Sequence, residues 1–186
     1  FGEETKKRYQ SAGCKIEKFI VGGSIKDGLY RKTHSRHYEK IYDFCWISQY
    51  RPSRFEKTMP GLRRTSLQLL EFIQKYCIDY GKTLAVACSC KEREFSYEYR
   101  FLLDVINLNG ASIIPNDDNN FSSYRLIDQS RVTITSHSTI GFESIARGNK
   151  VLFCNFTDDS YYDVPSGYSD GIWSLRGPNI GYQQFS

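Results

Sequence analysis

Hydrophobic residues along the chain fall into short continuous runs, and these alternate with stretches in which apolar side chains recur at helical spacing. Continuous runs are typical of strands buried on both faces, whereas helical spacing indicates amphipathic helices. We predict strands at residues 41–48, 83–87, 111–114, 131–135 and 151–153, and a further short strand at 18–21. Helices are predicted at residues 1–10, 62–80, 96–107, 124–129 and 139–147. The alternation predicts an α/β fold, a Rossmann-like parallel sheet with helices on both faces.

Residues 136–143, with the sequence SHSTIGFE, mark a change from strand to helix pattern. We predict one βαβ unit here. It consists of the strand before these residues, the helix after them, which ends at Gly148, and the next strand. In open α/β folds the loop after the first strand lies at the carboxyl edge of the sheet, where ligands bind. We expect Ser138 or Thr139 to cap the helix, whose N–H groups would face an anion. Glu143 follows Thr139 by one turn, about the distance from phosphate to ribose in a nucleotide.

The residues alone leave a second interpretation of this segment open. The hydroxyl side chains could serve only as helix caps, and Glu143 could be a solvated acid of the first turns. Glu143 could also bond a backbone N–H or pair with Arg147, which lies four positions later on the same helix face. On this interpretation the segment has a structural role and binds no ligand.

Three of the predicted strands, ending at residues 48, 87 and 135, are each followed by small, hydroxyl or basic residues. Because parallel strands end at the same edge of a sheet, we predict that these loops share one cleft. The polar residues that follow the first two strands are Gln49, Tyr50, Arg51, Ser89 and Lys91. Ser122 and Ser123 are expected to cap the short helix that leads into the strand at 131–135.

Composition excludes several classes of protein. The net charge of +4 is small and scattered, which does not favour a nucleic-acid partner. The six cysteines form no C-x-x-C pair, so we expect reduced core residues of a cytoplasmic protein, with no disulfide framework and no metal site. No run reaches the roughly 18 apolar residues of a membrane span, and no signal peptide opens the chain. Because the chain lacks an initial Met, we expect a fragment of a longer protein.

Three sequence stretches carry a resemblance to a known family: ISQYRP, ACSCKEREFSYEYRF and FSSYRLIDQSRVTITSHSTIGFESIARGNKVLFCNF. Together they resemble bacterial surface-carbohydrate biosynthesis proteins, glycosyltransferases of the two-Rossmann-domain (GT-B) architecture. The similarity is greatest to capsule and lipopolysaccharide enzymes linked to Kdo-type or sialic-acid-type sugars, and it extends from the first residues to about residue 163. The resemblance implies that residues 1–186 are a single Rossmann-like domain, the C-terminal nucleotide-sugar-binding half of a GT-B fold, with residues 1–40 as a possible connection between lobes.

The resemblance also implies roles for the candidate site residues. Ser136, Ser138 and Thr139 would bind the donor phosphate, and Glu143 would bind the ribose hydroxyls. Gln49, Tyr50 and Arg51 would line the phosphate or sugar side of the cleft. The remaining candidates are the polar residues Ser89 and Lys91 and a second set made up of Glu98, Ser122, Ser123 and Tyr124. Cys88 and Cys90 depart from the family pattern, because they flank a position where an arginine is common.

The implied ligand is a nucleotide sugar linked to CMP or UDP, with no other cofactor and no metal. The acceptor, a glycan or a lipid-linked sugar, would bind the absent N-terminal half, so we expect no transferase activity from residues 1–186 alone. The same half would have to supply a catalytic base, since none is evident in this chain. The location implied is the cytoplasm, with peripheral association at the inner face of the membrane as the alternative. The competing function is a non-catalytic nucleotide-binding Rossmann module or an epimerase-like domain.

Overall fold

The computed structural model describes residues 3–15, 17–20, 22–34, 38–50, 60–103, 106, 110–117, 119–136 and 138–154. The chain divides into two compact units, Phe1–His37 and Tyr38–Ser186. The candidate residue Arg51 lies outside the described residues. The sheet belongs to the second unit.

The first unit contains two helices, α1 (Glu3–Ser11) and α2 (Ile25–Thr33). The sequence pattern predicts α1 but misses α2, which begins because the Ser24 Oγ accepts a hydrogen bond from the Asp27 N–H at 3.2 Å. The strand predicted at 18–21 is wrong for its described residues, 18–20, which pair with no strand that the structure describes. A strand needs a neighbour for its backbone groups, and an apolar run alone does not provide one. That residues 1–40 connect two lobes stays a prediction.

Five parallel strands form the sheet among the described residues of the second unit. They are β1 (Tyr42–Ile47), β2 (Leu84–Lys91), β3 (Ala111–Asn116), β4 (Ser130–Thr135) and β5 (Lys150–Phe153). Their order across the sheet is β3-β2-β1-β4-β5. In the central strand Phe44 pairs with Leu84 on one side and with Val132 on the other. The predicted parallel sheet is therefore confirmed.

Helices cover both faces of this sheet. They are α3 (Pro60–Asp79), α4 (Glu92–Leu103), α5 (Ser122–Asp128) and α6 (Thr139–Ala146). Successive side chains of a strand point to opposite faces, and in β1 Trp46 packs with Leu70 of α3 and Leu102 of α4, whereas Cys45 packs with Ile127 of α5. The predicted fold class, a Rossmann-like α/β domain, is confirmed.

The end of α6 follows the predicted glycine stop. Gly148 has a φ of +87°, a left-handed conformation in which a side chain is strained. Its N–H donates to the Ile145 carbonyl at 2.8 Å, and the Asn149 N–H donates to the Ser144 carbonyl at 3.1 Å. These two bonds make a Schellman motif, which satisfies the last carbonyls of the helix and turns the chain into β5.

Strand β2 is longer than predicted, because it continues through residues 88–91 in place of a loop. Its pairing with β3 shifts between Ala87, opposite Ile114, and Lys91, opposite Asn116. Four positions of β2 therefore match two of β3, which is a bulge. A bulge removes backbone N–H groups from the ladder, so those groups need other acceptors.

Glu98 of α4 supplies the acceptors at this bulge. Its Oε1 accepts the Ser89 N–H at 3.0 Å and its Oε2 accepts the Cys90 N–H at 2.7 Å. The side chain is completely buried, with 0% exposure. A carboxylate costs free energy to bury unless it is hydrogen-bonded, and here both oxygens are. Glu98 therefore fixes the carboxyl end of β2 to the middle of α4.

We predict that Glu98→Gln lowers the free energy of unfolding by about 2–3 kcal/mol, because the amide can accept for only one of the two backbone N–H groups. Urea unfolding followed by circular dichroism measures the change. The matched control is Glu94→Gln on the exposed side of the same helix, where we expect a change within about 0.5 kcal/mol. Equal stability of the two variants would contradict the assigned role of Glu98.

Candidate functional site

The carboxyl edge of the sheet is closed by side-chain hydrogen bonds to the backbone. At the end of β1 the Ser48 Oγ accepts the Tyr50 N–H at 3.3 Å, and at the end of β4 the Thr135 Oγ1 accepts the Ser138 N–H at 3.3 Å. The Ser89 hydroxyl donates to the Tyr50 carbonyl, which joins the ends of β2 and β1. Since β2, β1 and β4 are neighbours in the sheet, their ends lie along one edge, as the prediction of a shared cleft requires.

The turn between β4 and α6 contains three of the predicted phosphate-binding residues. Ser136 is buried, Ser138 is half-buried, and Thr139 at the first position of α6 is exposed. Ser138 occupies the N-cap position, as predicted, but its side chain makes no capping hydrogen bond, so the predicted part of the hydroxyl is wrong. The Ser138 backbone supplies an acceptor for the first turn instead, since the Ser138 carbonyl accepts the Gly141 N–H at 2.9 Å. The turn presents hydroxyl groups and the amino end of a helix at the edge of the sheet.

Gly141 brings α6 close to the sheet at this turn. A Cβ atom at this position would lie 2.9 Å from the Thr135 Cγ2 and 3.1 Å from two ring carbons of Phe153. Such distances are shorter than carbon atoms tolerate, and both neighbours belong to sheet residues. The absence of a side chain at Gly141 therefore sets the distance between the first turn of α6 and the end of β4.

Glu143 lies in the second turn of α6, and its carboxylate is held from the neighbouring helix. The hydroxyl of Tyr124, a buried residue of α5, donates to the Glu143 Oε2 at 2.5 Å. Arg147, the C-cap residue of α6 four positions later, forms an ion pair from its Nε to the Asp128 Oδ1 at 3.0 Å. The Arg147 guanidinium also lies 4.8 Å from the centre of the Tyr124 ring. The two helices are therefore linked twice, at corresponding turns.

Further polar residues extend this network toward the amino ends of the strands. The Asn149 amide donates to the Asp128 Oδ1 at 2.5 Å, and the Lys40 ammonium donates to the Asp128 carbonyl at 2.8 Å and to the Asn149 Oδ1 at 3.1 Å. Burial lowers the pKa of Lys40, an effect that the nearby Asp128 opposes. The sequence pattern does not indicate Asp128 and Asn149 as part of this network. The sequence does contain one indication of the contacts between the two segments. Tyr124 and Asp128 are four residues apart, and so are Glu143 and Arg147, so each pair lies on one helix face.

The predicted residues after β1 and β2 make mainly structural contacts. Tyr50 is buried, and its ring packs against Phe101 with ring centres 4.8 Å apart. Ser89 joins β2 to β1 and to Glu98, as described above. Gln49 is half-buried, and Lys91 is exposed at the last position of β2. The roles of these residues in ligand binding stay predictions.

In the second set of candidates, most residues make structural contacts and one belongs to the candidate site. Glu98 stabilises the bulge, and Ser122 closes a loop, since its Oγ accepts the Asp117 N–H at 2.8 Å and donates to the Pro115 carbonyl at 3.1 Å. The predicted capping of α5 by Ser122 and Ser123 is wrong, because Phe121 occupies the N-cap position. The hydroxyl of Ser122 is used by the preceding loop. Tyr124 contacts Glu143 and so belongs to the candidate site.

The buried cysteine thiols are poorly suited to act as nucleophiles. All six cysteines are free, and burial raises the pKa of the Cys45 thiol to about 12 and that of the Cys154 thiol to about 11. Such thiols are protonated at neutral pH and are poor nucleophiles. Within the described ranges, no three His, Cys, Asp or Glu side chains are grouped closely enough to hold a metal ion.

A cavity of about 740 Å³ lies on the other face of the sheet, where α3 passes over β1, β4 and β5. Its walls include Phe44, Phe72, Tyr76, Ile134 and Leu152. The lining is mostly apolar and holds no positively charged side chain, although Gln68 and Tyr76 carry hydrogen-bond donors, so the cavity does not suit a phosphate. Of the two places, the turn between β4 and α6 has the groups that an anionic ligand needs.

None of the helices in the described part of the chain is long and apolar enough to cross a membrane.

We predict that Gly141→Ala destabilises the protein by about 1–3 kcal/mol, because the methyl group overlaps with Thr135 and Phe153. Thermal unfolding gives the size of the effect. The control is Gly28→Ala in α2, another helical glycine, which has no atom within 4 Å of the added carbon. Alanine has the higher helix propensity at both positions, so we expect the control to be neutral or slightly stabilised. A Gly141→Ala variant as stable as the wild type would show that α6 does not need this close approach.

Comparison with solved structures finds proteins that share this fold. The S. aureus MnaA–UDP co-structure matches with a TM-score of 0.54 and 15% identity, over 82% of this chain and 41% of that chain. The UDP-GlcNAc 2-epimerase from Neisseria meningitidis bound to UDP-GlcNAc matches with a TM-score of 0.53 and 13% identity, over 90% of this chain and 46% of that chain. The chain thus spans less than half the length of these proteins, whose architecture is GT-B-like. At these identities the likeness establishes the fold alone.

Comparison at the level of sequence gives the family. No curated protein matches the chain. A family model described as "putative O-antigen biosynthesis protein" matches residues 7–176. The predicted class, surface-carbohydrate biosynthesis, is thereby confirmed, while glycosyl transfer itself stays a prediction. Because the match covers most of the 186 residues, the chain belongs to this O-antigen biosynthesis protein family.

Proposed function

We propose that this chain is the nucleotide-sugar-binding domain of a glycosyltransferase that acts in O-antigen biosynthesis. In this proposal the turn between β4 and α6 binds the phosphates of the donor, and Glu143 binds its ribose. The observation that carries the proposal is the carboxylate of Glu143, which is fixed by Tyr124 one turn below the amino end of α6. Membership of the O-antigen biosynthesis family supports the substrate class.

The phosphate end of the proposed site consists of the first turn of α6. The Gly141 N–H donates to the Ser138 carbonyl, so the N–H groups of Thr139 and Ile140 are the ones proposed to meet the phosphate at the amino end of α6, where the helix dipole favours an anion. The half-buried Ser138 and the exposed Thr139 add hydroxyl groups at the same place. When the bond between the sugar and the phosphate breaks, negative charge builds up on the departing nucleotide. Donors already aimed at this charge would stabilise the transition state without a metal ion.

The ribose end consists of Glu143. Residues four apart lie on the same face of a helix, and the rise between Thr139 and Glu143 is about 6 Å. This distance matches the separation of a nucleotide's phosphate from its ribose hydroxyls. A half-buried carboxylate that accepts bonds from these hydroxyls forms charge-assisted contacts, each worth about 1.5–3 kcal/mol.

A UDP-linked sugar is the first donor to test. Two structures with the same fold were solved with UDP and with UDP-GlcNAc. CMP-linked donors, which the resemblance also implies, are the comparison. No cofactor besides the nucleotide sugar enters the proposal. Gln49, Lys91 and Arg51 stay candidates for the sugar side of the cleft, where Arg51 could pair with a phosphate.

A second candidate function is epimerisation of a nucleotide sugar. The observation that favours it is the fold shared with the Neisseria meningitidis UDP-GlcNAc 2-epimerase. Both functions need the same nucleotide contacts, so they differ in products and not in binding. Proton NMR of the reaction in the whole protein separates them, because transfer joins the sugar to an acceptor hydroxyl and releases UDP, whereas epimerisation inverts one carbon of the sugar and needs no acceptor.

We predict that the protein binds UDP and that Glu143→Gln weakens this binding tenfold or more, a loss of about 1.4 kcal/mol. The unliganded melting temperature should change little, since the glutamine oxygen can still accept from Tyr124. Isothermal titration calorimetry measures the affinity for UDP, CMP and inorganic phosphate. Glu71→Gln, on the exposed surface of α3, is the control and should bind UDP like the wild type. Absence of binding by the wild type, or equal affinity of wild type and Glu143→Gln, would rule out the proposed site.

A further inference from the structure

The contact between Tyr124 and Glu143 has the geometry of a positioning interaction. The Tyr124 hydroxyl donates to the Glu143 Oε2 at 2.5 Å, a charge-assisted hydrogen bond across two helices. Glutamate has three rotatable side-chain bonds, and a bond to its terminal oxygen limits all of them. The carboxylate of Glu143 is therefore oriented by α5 as well as by its own helix.

Tyr124 is itself held in place on several sides. The residue is 3% exposed, and its ring makes an edge contact with Phe121 at 5.7 Å between ring centres. The guanidinium of Arg147 lies over the ring at 4.8 Å, and the ion pair with Asp128 keeps Arg147 there. Both charged side chains of this pair are largely buried, at 6% and 13% exposure. Water therefore screens their attraction little, and the ring has a fixed position.

The positions of these residues along the two helices explain why the arrangement is rigid. Tyr124 and Asp128 are one turn apart on α5, and Arg147, the C-cap residue of α6, follows Glu143 by the same four positions. Tyr124 and Asp128 each contact the residue nineteen positions later in the chain. A single link would let the helices pivot, whereas two links at successive turns fix their rotation about each other. The orientation of Glu143 is thus set before any ligand arrives, which reduces the entropy lost on binding.

We propose that Tyr124 is a positioning residue that orients the Glu143 carboxylate toward the ribose, so that the affinity for ribonucleotides depends on the Tyr124 hydroxyl. This inference rests on the proposed function, since it presumes that Glu143 binds a ribose. It adds a residue on a different helix that acts through Glu143 and distinguishes ligands by their ribose hydroxyls. A merely structural tyrosine would affect all nucleotides alike.

The test compares two ligands on one variant. Tyr124→Phe removes the hydroxyl and keeps the ring between Phe121 and Arg147. We expect this variant to bind UDP five- to tenfold more weakly than the wild type and to bind 2′,3′-dideoxy-UDP within twofold of the wild type. The dideoxy ligand lacks the groups that Glu143 would contact, and it also reports whether the variant is folded. Tyr97→Phe, at an exposed position of α4, is the matched control and should leave both affinities unchanged.

A double variant provides the second measurement. In a Glu143→Ala background the side chain that Tyr124 would orient is gone, so adding Tyr124→Phe should change UDP affinity by less than twofold. Equal losses for UDP and the dideoxy ligand, or an unchanged UDP affinity in Tyr124→Phe, would overturn the positioning role while leaving the proposed site intact. Glu143→Gln with the UDP affinity of the wild type would instead overturn the proposed function, and the positioning role with it.

Discussion

Unpaired backbone N–H groups at the carboxyl edge of a parallel sheet are the constraint on which this structure depends. All five strands that the structure describes run in the same direction, so their last residues leave the ladder at one edge. Buried N–H groups there need acceptors. Ser48, Glu98 and Thr135 supply them at the ends of β1, β2 and β4. The same edge is where an α/β fold binds ligands, so the groups that close it also determine the shape of the site.

Two kinds of polar residue therefore meet at this edge. Glu98 is buried and turned toward the backbone, and both its oxygens are used in holding the bulge of β2. Glu143 is half-buried on α6 and is oriented by a side chain of α5. The first arrangement makes the sheet edge rigid, and the second places a carboxylate beside the amino end of a helix. Gly141 brings the second arrangement to the same edge as the first, because it allows α6 to approach β4 closely.

The sequence predicts much of the fold, since continuous apolar runs and helical spacing locate the five strands and the four helices of the second unit. It fails where a single polar contact decides the outcome. Residues 88–91 contain polar and charged side chains typical of a loop, yet they continue β2 because Glu98 satisfies the bulge. The residue types of the β4–α6 turn are enough to predict it from the sequence. The hydrogen bond from Tyr124 to Glu143 cannot be predicted in this way, because it joins residues on two helices and depends on how those helices pack.

A titration of the protein with UDP, followed by nitrogen–proton correlation NMR, tests the central claim most directly, because each backbone amide reports on its own surroundings. If the turn between β4 and α6 binds the phosphates and Glu143 binds the ribose, the amide signals of Thr139, Ile140 and Glu143 will shift most. Those of Phe72 and Tyr76, beside the apolar cavity on the other face, will stay in place. Largest shifts at Phe72 and Tyr76, or no shift at any UDP concentration, would contradict the account.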